Sequence, residues 1–307
     1  MSTAPTHSEL HPDLHPGSHP TDDALVRRLV AGQFPQWAGL PVARFASGGT
    51  VNAMYRLGGD MVVRLPLVRG GAEDLSLERE WLPRLASLLP TPVPEVLGAG
   101  EPAEGFPWEW SVYRWLAGEN PEAGALSEPR LLAGDLAAFV GEMRGLTLAD
   151  APSAYRGGPV ASLDRSTRAA IEELRGIPEE GVDCDAALAA WEEALRAPVW
   201  GGPPVWLHAD LMPGNLLVDG GRLSSVIDFG CMGVGDPACD LFPAWNLLPA
   251  DAREVFRDAL GVDDATWIRG RGRTLSQAVI ALPHYRKTNP AMAGNARHVI
   301  RAVLGES

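Results

Sequence analysis

Apolar and polar positions along the chain follow three successive rhythms. Residues 1–20 hold few apolar side chains. His7, His11, His15 and His19 recur every four residues, which would align them on one helix face. Pro5, Pro12, Pro16 and Pro20 break that helix, and so little apolar surface does not offset the entropy of ordering, so a solvated, disordered leader is expected over 1–20. Thr21-Asp22-Asp23 then reads as a cap before Ala24–Val30, whose apolar residues recur at helical spacing up to Pro35. From Pro41 the chain breaks into short β-type runs, Val42–Ala46, Val51–Leu57 and Met61–Leu65, separated by Gly48-Gly49 and Gly58-Gly59. Helical spacing returns in Ala72–Leu89, with Leu75, Trp81, Leu82, Leu85, Leu88 and Leu89 on one face and Pro83 as a point of kinking or ending. Glu95–Gly100 and Trp108–Trp115 read as two further strands. Beyond Gly118 the spacing predicts helices over Ser127–Leu146, Asp185–Arg196, Ala265–Arg286 and Ala291–Leu304. Short strands at Val205–Leu207, Leu216–Val218 and Leu223–Ile227 lie among them, and Ala151–Gly181 reads as irregular. The whole is an α+β chain: a small β-rich N-terminal lobe over 21–117, a hinge near 111–118, and a larger helical C-terminal lobe over 118–307.

Charge narrows the partners. A formal net charge of −13 argues against nucleic acid or an anionic membrane surface, both of which need a basic footprint. It suits an acidic cleft for a cationic small molecule, and equally an acidic solvated surface. Cys184, Cys231 and Cys239 form neither an even set nor a metal-ligand spacing, so no disulfide framework or zinc site is expected. No basic segment followed by an apolar run opens the chain, and no apolar run reaches about 18 residues. The expectation is a soluble cytoplasmic protein with no obligate protein partner.

The chemistry concentrates in His208-Ala-Asp-Leu-Met-Pro-Gly-Asn215 and, after a short interval, Ile227-Asp228-Phe229-Gly230. In a protein kinase the catalytic loop sets a base Asp two residues after His and a magnesium-binding Asn five residues after that Asp, and a second metal Asp opens a D-F-G turn. Asp210, Asn215 and Asp228 stand at those relative places. Asp210 would accept the proton of an acceptor hydroxyl, and Asn215 and Asp228 would hold Mg²⁺. His208 would fix the loop by hydrogen bonding or else titrate in catalysis. Earlier in the chain, Ser47-Gly48-Gly49-Thr50-Val51-Asn52 lies between strands, where it is either a phosphate-covering loop or a simple hairpin turn. Arg64 in the third strand is a candidate contact for the α- and β-phosphates, paired with Glu78 or Glu80, or else an edge-strand side chain reaching solvent. Backbone groups from Tyr113 through Trp115 to Leu116 could hold an adenine edge, although aromatic residues there also serve as core.

These motifs resemble the aminoglycoside phosphotransferase family, small-molecule antibiotic kinases with a protein-kinase-like two-lobed fold. His208–Asn215 is similar to its H-G-D-x-x-x-x-N loop, Val226–Gly230 to its metal-binding turn, and Gly235-Asp-Pro-Ala-Cys-Asp-Leu241 to the segment that follows. The resemblance runs from about Thr21 to Leu304. It implies ATP or GTP with Mg²⁺ as cosubstrates, Asp210 as catalytic base, and Asn215 and Asp228 as metal ligands. It further implies that Ser47, Gly48, Gly49, Thr50 and Asn52 form the nucleotide loop, with Arg64 and Glu78 in place of the family's Lys–Glu pair. Ala209 stands where the family has Gly, and Arg64 where it has Lys. The implied reaction moves the γ-phosphoryl group to a hydroxyl of a small molecule, first an aminoglycoside. A macrolide or metabolic alcohol kinase, or a catalytically silent nucleotide-binding protein, are the alternatives. Asp236 and Asp240 are expected to cap the next helix and tie down the loop. Asp263 and Asp264 read as an acidic cleft or as caps, Arg269, Arg271 and Arg273 as a solvated face or an anion site, and His284–Asn289 as a polar loop that could face the acceptor.

Overall fold

The computed structural model describes residues 19–45 and 51–305. Its elements are helix α1 (Asp23–Gln33), strands β1 (Val42–Arg44), β2 (Asn52–Leu57) and β3 (Met61–Pro66), helix α2 (Arg69–Leu85), strands β4 (Val96–Gly100) and β5 (Trp110–Arg114), and helices α3 (Pro129–Gly145), α4 (Asp164–Arg175) and α5 (Cys184–Arg196). Strands β6 (Val205–Leu207), β7 (Leu216–Asp219), β8 (Arg222–Val226) and β9 (Gly233–Gly235) follow, then helices α6 (Pro243–Asn246), α7 (Ala250–Leu260), α8 (Asp264–Tyr285) and α9 (Pro290–Leu304). They fall into two compact units. The first runs to Ser87 and takes in Pro94–Leu116; the second comprises Leu88–Val93 and the chain from Ala117 onward.

In the first unit the sheet is antiparallel with order β1-β2-β3-β5-β4. Strand β3 is therefore central, and all six of its residues are buried. Met61, Val63 and Leu65 join the core formed with Leu25, Val26, Leu29 and Val30 of α1. By the period of two, Arg64 points to the opposite face, where it meets α2. The alternative of an edge-strand arginine in solvent is thereby excluded. Asp22 caps α1 by accepting from the Leu25 N–H at 2.7 Å. Helix α2 passes through Pro83 and stops at Leu85, since proline removes an N–H and crowds the preceding turn. His19, within the leader expected to be disordered, belongs to the fold: its N–H donates to Leu67 O at 3.0 Å and its ring packs edge-on against Phe106 and Trp108. His7, His11 and His15 lie outside the described residues.

The second unit departs from expectation between Ala151 and Gly181. A twelve-residue helix, α4, occupies Asp164–Arg175, burying Thr167, Ala170, Ile171 and Leu174. Two of those four are too small or polar to register as a hydrophobic stripe, and flanking Gly and Pro give the stretch the look of a loop. Its helical state is decided by packing on α8, where Thr167 Oγ1 lies 2.7 Å from Ser276 Oγ. Strand β6 pairs with β9, and β7 with β8 through the turn at Gly220-Gly221. The segment before α4 lies along β9 as well: Val234 N–H donates to Pro152 O at 2.8 Å, Ala154 N–H to Val234 O at 3.0 Å, and Asp236 N–H to Gly157 O at 3.0 Å. Among the described residues no helix is long and apolar enough to cross a membrane.

The approach of Gly157 to Gly235 is close because neither carries a side chain. A Cβ at Gly235 would come within 2.6 Å of the Gly157 Cα and O, backbone atoms that yield only if the whole strap moves. Gly235→Ala is expected to destabilise the fold by about 1–3 kcal/mol, read as a lower urea midpoint; an unchanged midpoint would show that the strap is loosely held.

Candidate active site

Two groups of polar side chains, one in each unit, contain the residues that the sequence singles out. In the first unit Arg64 and Glu78 form a buried ion pair, with Arg64 Nη1 3.0 Å from each Glu78 carboxylate oxygen. Glu80 does not take this place. Tyr113 Oη donates to Glu78 Oε2 at 2.5 Å, and with its amide turned so that the oxygen faces the guanidinium, Asn52 accepts from Arg64 Nε at 3.0 Å and Nη2 at 2.9 Å. Each buried charge is thus hydrogen-bonded, the condition under which burial is tolerated. Burial, with the Glu78 charge beside it, pushes the Tyr113 phenol well above its ordinary value. Tyr113 therefore acts through its side chain in this cluster. Its backbone lies in the register between β3 and β4, and the Trp115 N–H donates to Asp60 O at 2.7 Å, so that amide is engaged within the unit. The Trp115 ring stacks under the Arg56 guanidinium, 3.7 Å from its centroid. Ser47, Gly48, Gly49 and Thr50 lie outside the described residues.

In the second unit the loop after β6 is set by one buried carboxylate. Asp240 accepts from the His208 N–H at 2.8 Å and the Ala209 N–H at 2.7 Å, although burial pushes its carboxyl upward. Ala209 has φ +64°, left-handed backbone that costs a non-glycine residue about 1–2 kcal/mol. Its departure from the family's Gly is therefore a strained one, held by these bonds. His208 is fully buried; its Nδ1 accepts from the Asp210 N–H at 3.2 Å and its Nε2 lies 3.1 Å from Ile227 O. A single tautomer with the proton on Nε2 satisfies both contacts.

The same ring thereby joins the loop after β6 to the D-F-G turn. Ile227 N–H also donates to Asn215 O at 2.9 Å, so Asp228 follows directly on a residue bonded to both His208 and Asn215. Asp228 has φ +64°, a conformation that Asp tolerates better than most residues. Asn215 Nδ2 donates to Asp210 O at 2.8 Å and Asp210 Oδ2 at 3.1 Å. That leaves the Asn215 amide oxygen as the end not committed to Asp210. That oxygen and the half-buried Asp228 carboxylate are hard-oxygen groups of the type that could hold a divalent cation. Among the described residues no cluster of three His, Cys, Asp or Glu side chains could hold a metal.

Several supporting residues carry no sequence motif. Asn120 Nδ2 donates to Gly214 O at 3.0 Å and Leu216 O at 2.8 Å, bracing the loop from outside. Asn246 Nδ2 donates to Leu211 O at 3.1 Å. Arg156, in the stretch expected to be irregular, pairs through Nη1 with Asp210 Oδ1. The arginines of α8 overturn another expectation: Arg269 and Arg273 are buried, not a solvated face. Arg269 makes a two-point pair with Asp236, at 2.9 and 3.1 Å, and Asp236 also caps the following turn through the Ala238 N–H at 3.0 Å. Asp263 caps α8 through the Thr266 N–H at 2.6 Å, and Asp264 pairs with Arg257; neither arrangement is an acidic cleft.

Two outcomes test this geometry. Removing one partner of a buried ion pair strands the other charge, so Glu78→Ala is expected to cost about 3–5 kcal/mol in chemical denaturation; a loss below 1 kcal/mol would mean that water reaches Arg64. Burial pushes the Cys239 thiol up to about 12, leaving roughly one thiol in ten thousand ionised at pH 8. Iodoacetamide at that pH is expected to leave Cys239 unlabelled in the native protein and to label it in denaturant, as read by peptide mass spectrometry.

The profile of the phosphotransferase enzyme family (APH) matches residues 42–275. No curated protein matches significantly. Among solved structures, APH(2'')-IIIa in its GDP and kanamycin complex superposes with TM-score 0.74 at 19% identity, over 92% of this chain and 99% of that one. ADP-bound aminoglycoside phosphotransferase APH(2'')-Ib gives 0.59 at 16% identity, over 92% and 98%. The macrolide 2'-phosphotransferase of Brachybacterium faecium gives 0.61 at 21% identity, over 92% and 98%. At such identities the structural likeness establishes the protein-kinase-like α+β fold, and the family match carries the enzyme class. The chain belongs to the phosphotransferase enzyme family, as a phosphotransferase with an alcohol group as acceptor.

Proposed function

We propose that the protein is a nucleoside-triphosphate- and Mg²⁺-dependent kinase of a small hydroxylated molecule, with ATP or GTP as donor. The observation that carries this is the stitching of Asp210, Asn215 and Asp228 through His208 and Ile227 into one loop cluster. The acceptor hydroxyl docks at Asp210, which takes its proton as the oxygen attacks the γ-phosphorus. The bond from phosphorus to the β,γ-bridging oxygen breaks, and the nucleoside diphosphate leaves with that electron pair. Asn215 and Asp228 hold the magnesium, which when bound neutralises charge on the phosphate oxygens. Arg64, oriented by Glu78, Tyr113 and Asn52, presents a cation for the α- and β-phosphates. In the same reading, Ser47–Asn52 cover the phosphates and backbone near Tyr113–Leu116 receives the base.

An aminoglycoside is the first acceptor to test, since kanamycin and gentamicin occupy related folds. One observation favours a second reading. From Ala265 to Leu304 the sequence has no Asp or Glu, and carboxylates of other elements pair most of its cations, Arg269 and Arg273 with Asp236, Arg271 with Glu193, Arg286 with Glu179 and Arg297 with Glu180. Helices that lack carboxylates suit a neutral acceptor, such as a macrolide, better than a polyamine.

Nucleoside-diphosphate release across a panel of aminoglycosides, macrolides, amino alcohols and sugars decides among these acceptors. Asp210→Asn is expected to lower acceptor-dependent kcat by about 10²–10⁴-fold with nucleotide affinity unchanged. Retention of wild-type turnover in that variant, or turnover on no compound at all, would sink the kinase reading in favour of a silent nucleotide-binding protein.

A further inference from the structure

Arg156 arrives at the base on a strap that belongs to none of the motifs. The strap is fixed to the chain that follows the D-F-G turn: Val234 N–H donates to Pro152 O, Ala154 N–H to Val234 O, Tyr155 N–H to Cys231 O at 3.2 Å, and Asp236 N–H to Gly157 O. Buried Arg273 holds it from behind, with Nη1 donating to Arg156 O at 2.7 Å and Nη2 to Gly158 O. Strap and metal-binding turn therefore share one rigid frame.

The Arg156 side chain uses one nitrogen in that frame. Nη1 contacts Asp210 Oδ1, Ala209 O at 3.2 Å and Cys231 Sγ at 3.7 Å. Nε and Nη2 make no hydrogen bond among the described residues, and the side chain is 32% exposed. Burial alone would lower its pKa, but the Asp210 charge, with Cys231 and Cys239, carries it above the ordinary value. The guanidinium is charged at any working pH. Holding Asp210 does not by itself require an arginine, because Asn215 already engages Oδ2. A guanidinium adds a second edge of donors in a planar fork, the shape that matches phosphoryl oxygens.

Where the phosphoryl group passes follows from the reaction. A hydroxyl within hydrogen-bond reach of Asp210 must receive phosphorus directly, so the equatorial oxygens of the migrating group pass within a few ångströms of the carboxylate that Arg156 touches. We propose that Arg156 is a catalytic residue supplied in cis, its Nη1 fixing Asp210 and its Nε–Nη2 edge donating to the equatorial oxygens of the phosphoryl group in transit. The guanidinium keeps its proton throughout: the hydroxyl proton goes to Asp210 and the breaking bond's electrons to the diphosphate. Stabilising charge that develops only in the transition state raises kcat without tightening ground-state binding. The inference rests on the phosphotransferase reading of Asp210.

The test needs no identified acceptor. On the full chain, MgADP alone is compared with MgADP plus aluminium fluoride, a mimic of the phosphoryl group in flight, and MgATP hydrolysis with water as acceptor is followed in parallel. R156Q is expected to bind MgADP within about twofold of wild type, to lose most of the tightening that fluoride confers, and to hydrolyse ATP about 10²–10³-fold more slowly. R156K, which keeps the charge without the fork, is expected to fall between them, and carries the same comparison should R156Q fail to fold. Added methylguanidinium is expected to restore part of the loss in R156A. Wild-type fluoride tightening and hydrolysis in R156Q would overturn the assignment of Arg156 alone, whereas a wild-type chain that neither binds nor hydrolyses nucleotide would overturn the kinase reading with it.

Discussion

The second unit depends on what the buried Asp240 carboxylate does to the backbone. Two adjacent amides, His208 and Ala209, point into it, and a chain bent that tightly places Ala209 in left-handed geometry. The bend turns His208 into the core, where its two ring nitrogens bond to Asp210 and Ile227. It also leaves Asp210 facing outward with both oxygens engaged, one by Asn215 and one by Arg156. An unbonded buried carboxylate would be costly; one that accepts two buried N–H groups trades that cost for a fixed loop. The proposed role of Asp210 as base requires that kind of rigidity, because a displacement of about an ångström at a reacting group forfeits much of the rate.

Buried charge plays the same part elsewhere. Arg64, Glu78, Tyr113 and Asn52 form one network in the first unit; Asp236, Arg269 and Arg273 form another in the second. Buried pairs of this sort add little net stability, so their value lies in orientation. One network aims a cation out of a central strand, and the other ties the turn after β9 to α8 and to the strap that bears Arg156. Replacing either by apolar side chains could keep the fold while losing the aim.

Charge also bears on the acceptor. A chain with net charge −13 invites the expectation of an acidic cleft, yet its acidic residues are unevenly spread, and α8 after its first turn and all of α9 contain none. Asp263, Asp264 and Asp236 act as caps and ion-pair partners. Net charge is a property of the whole surface, whereas recognition depends on the few side chains at the site.

By itself the sequence determined the run of five strands in the first unit, the long helices α3, α5, α8 and α9, the α+β class, and the spacing of His208, Asp210, Asn215 and Asp228, because period and motif are local properties that survive without the fold; β9, α6 and α7 went unread. It also made Glu78 one of two partners for Arg64. The choice between them required β3 to be central and α2 to lie across its outer face, so that Glu78 and not Glu80 turned inward. Helix α4 escaped the pattern because a short stripe with two small or polar members becomes helical only against α8. Arg156, Asn120 and Asn246 could not be read at all, since each reaches the His208–Asn215 loop from more than thirty positions away. Tertiary structure alone decided that Arg269 and Arg273 are buried: a guanidinium reads as surface until the carboxylate that satisfies it is folded onto it.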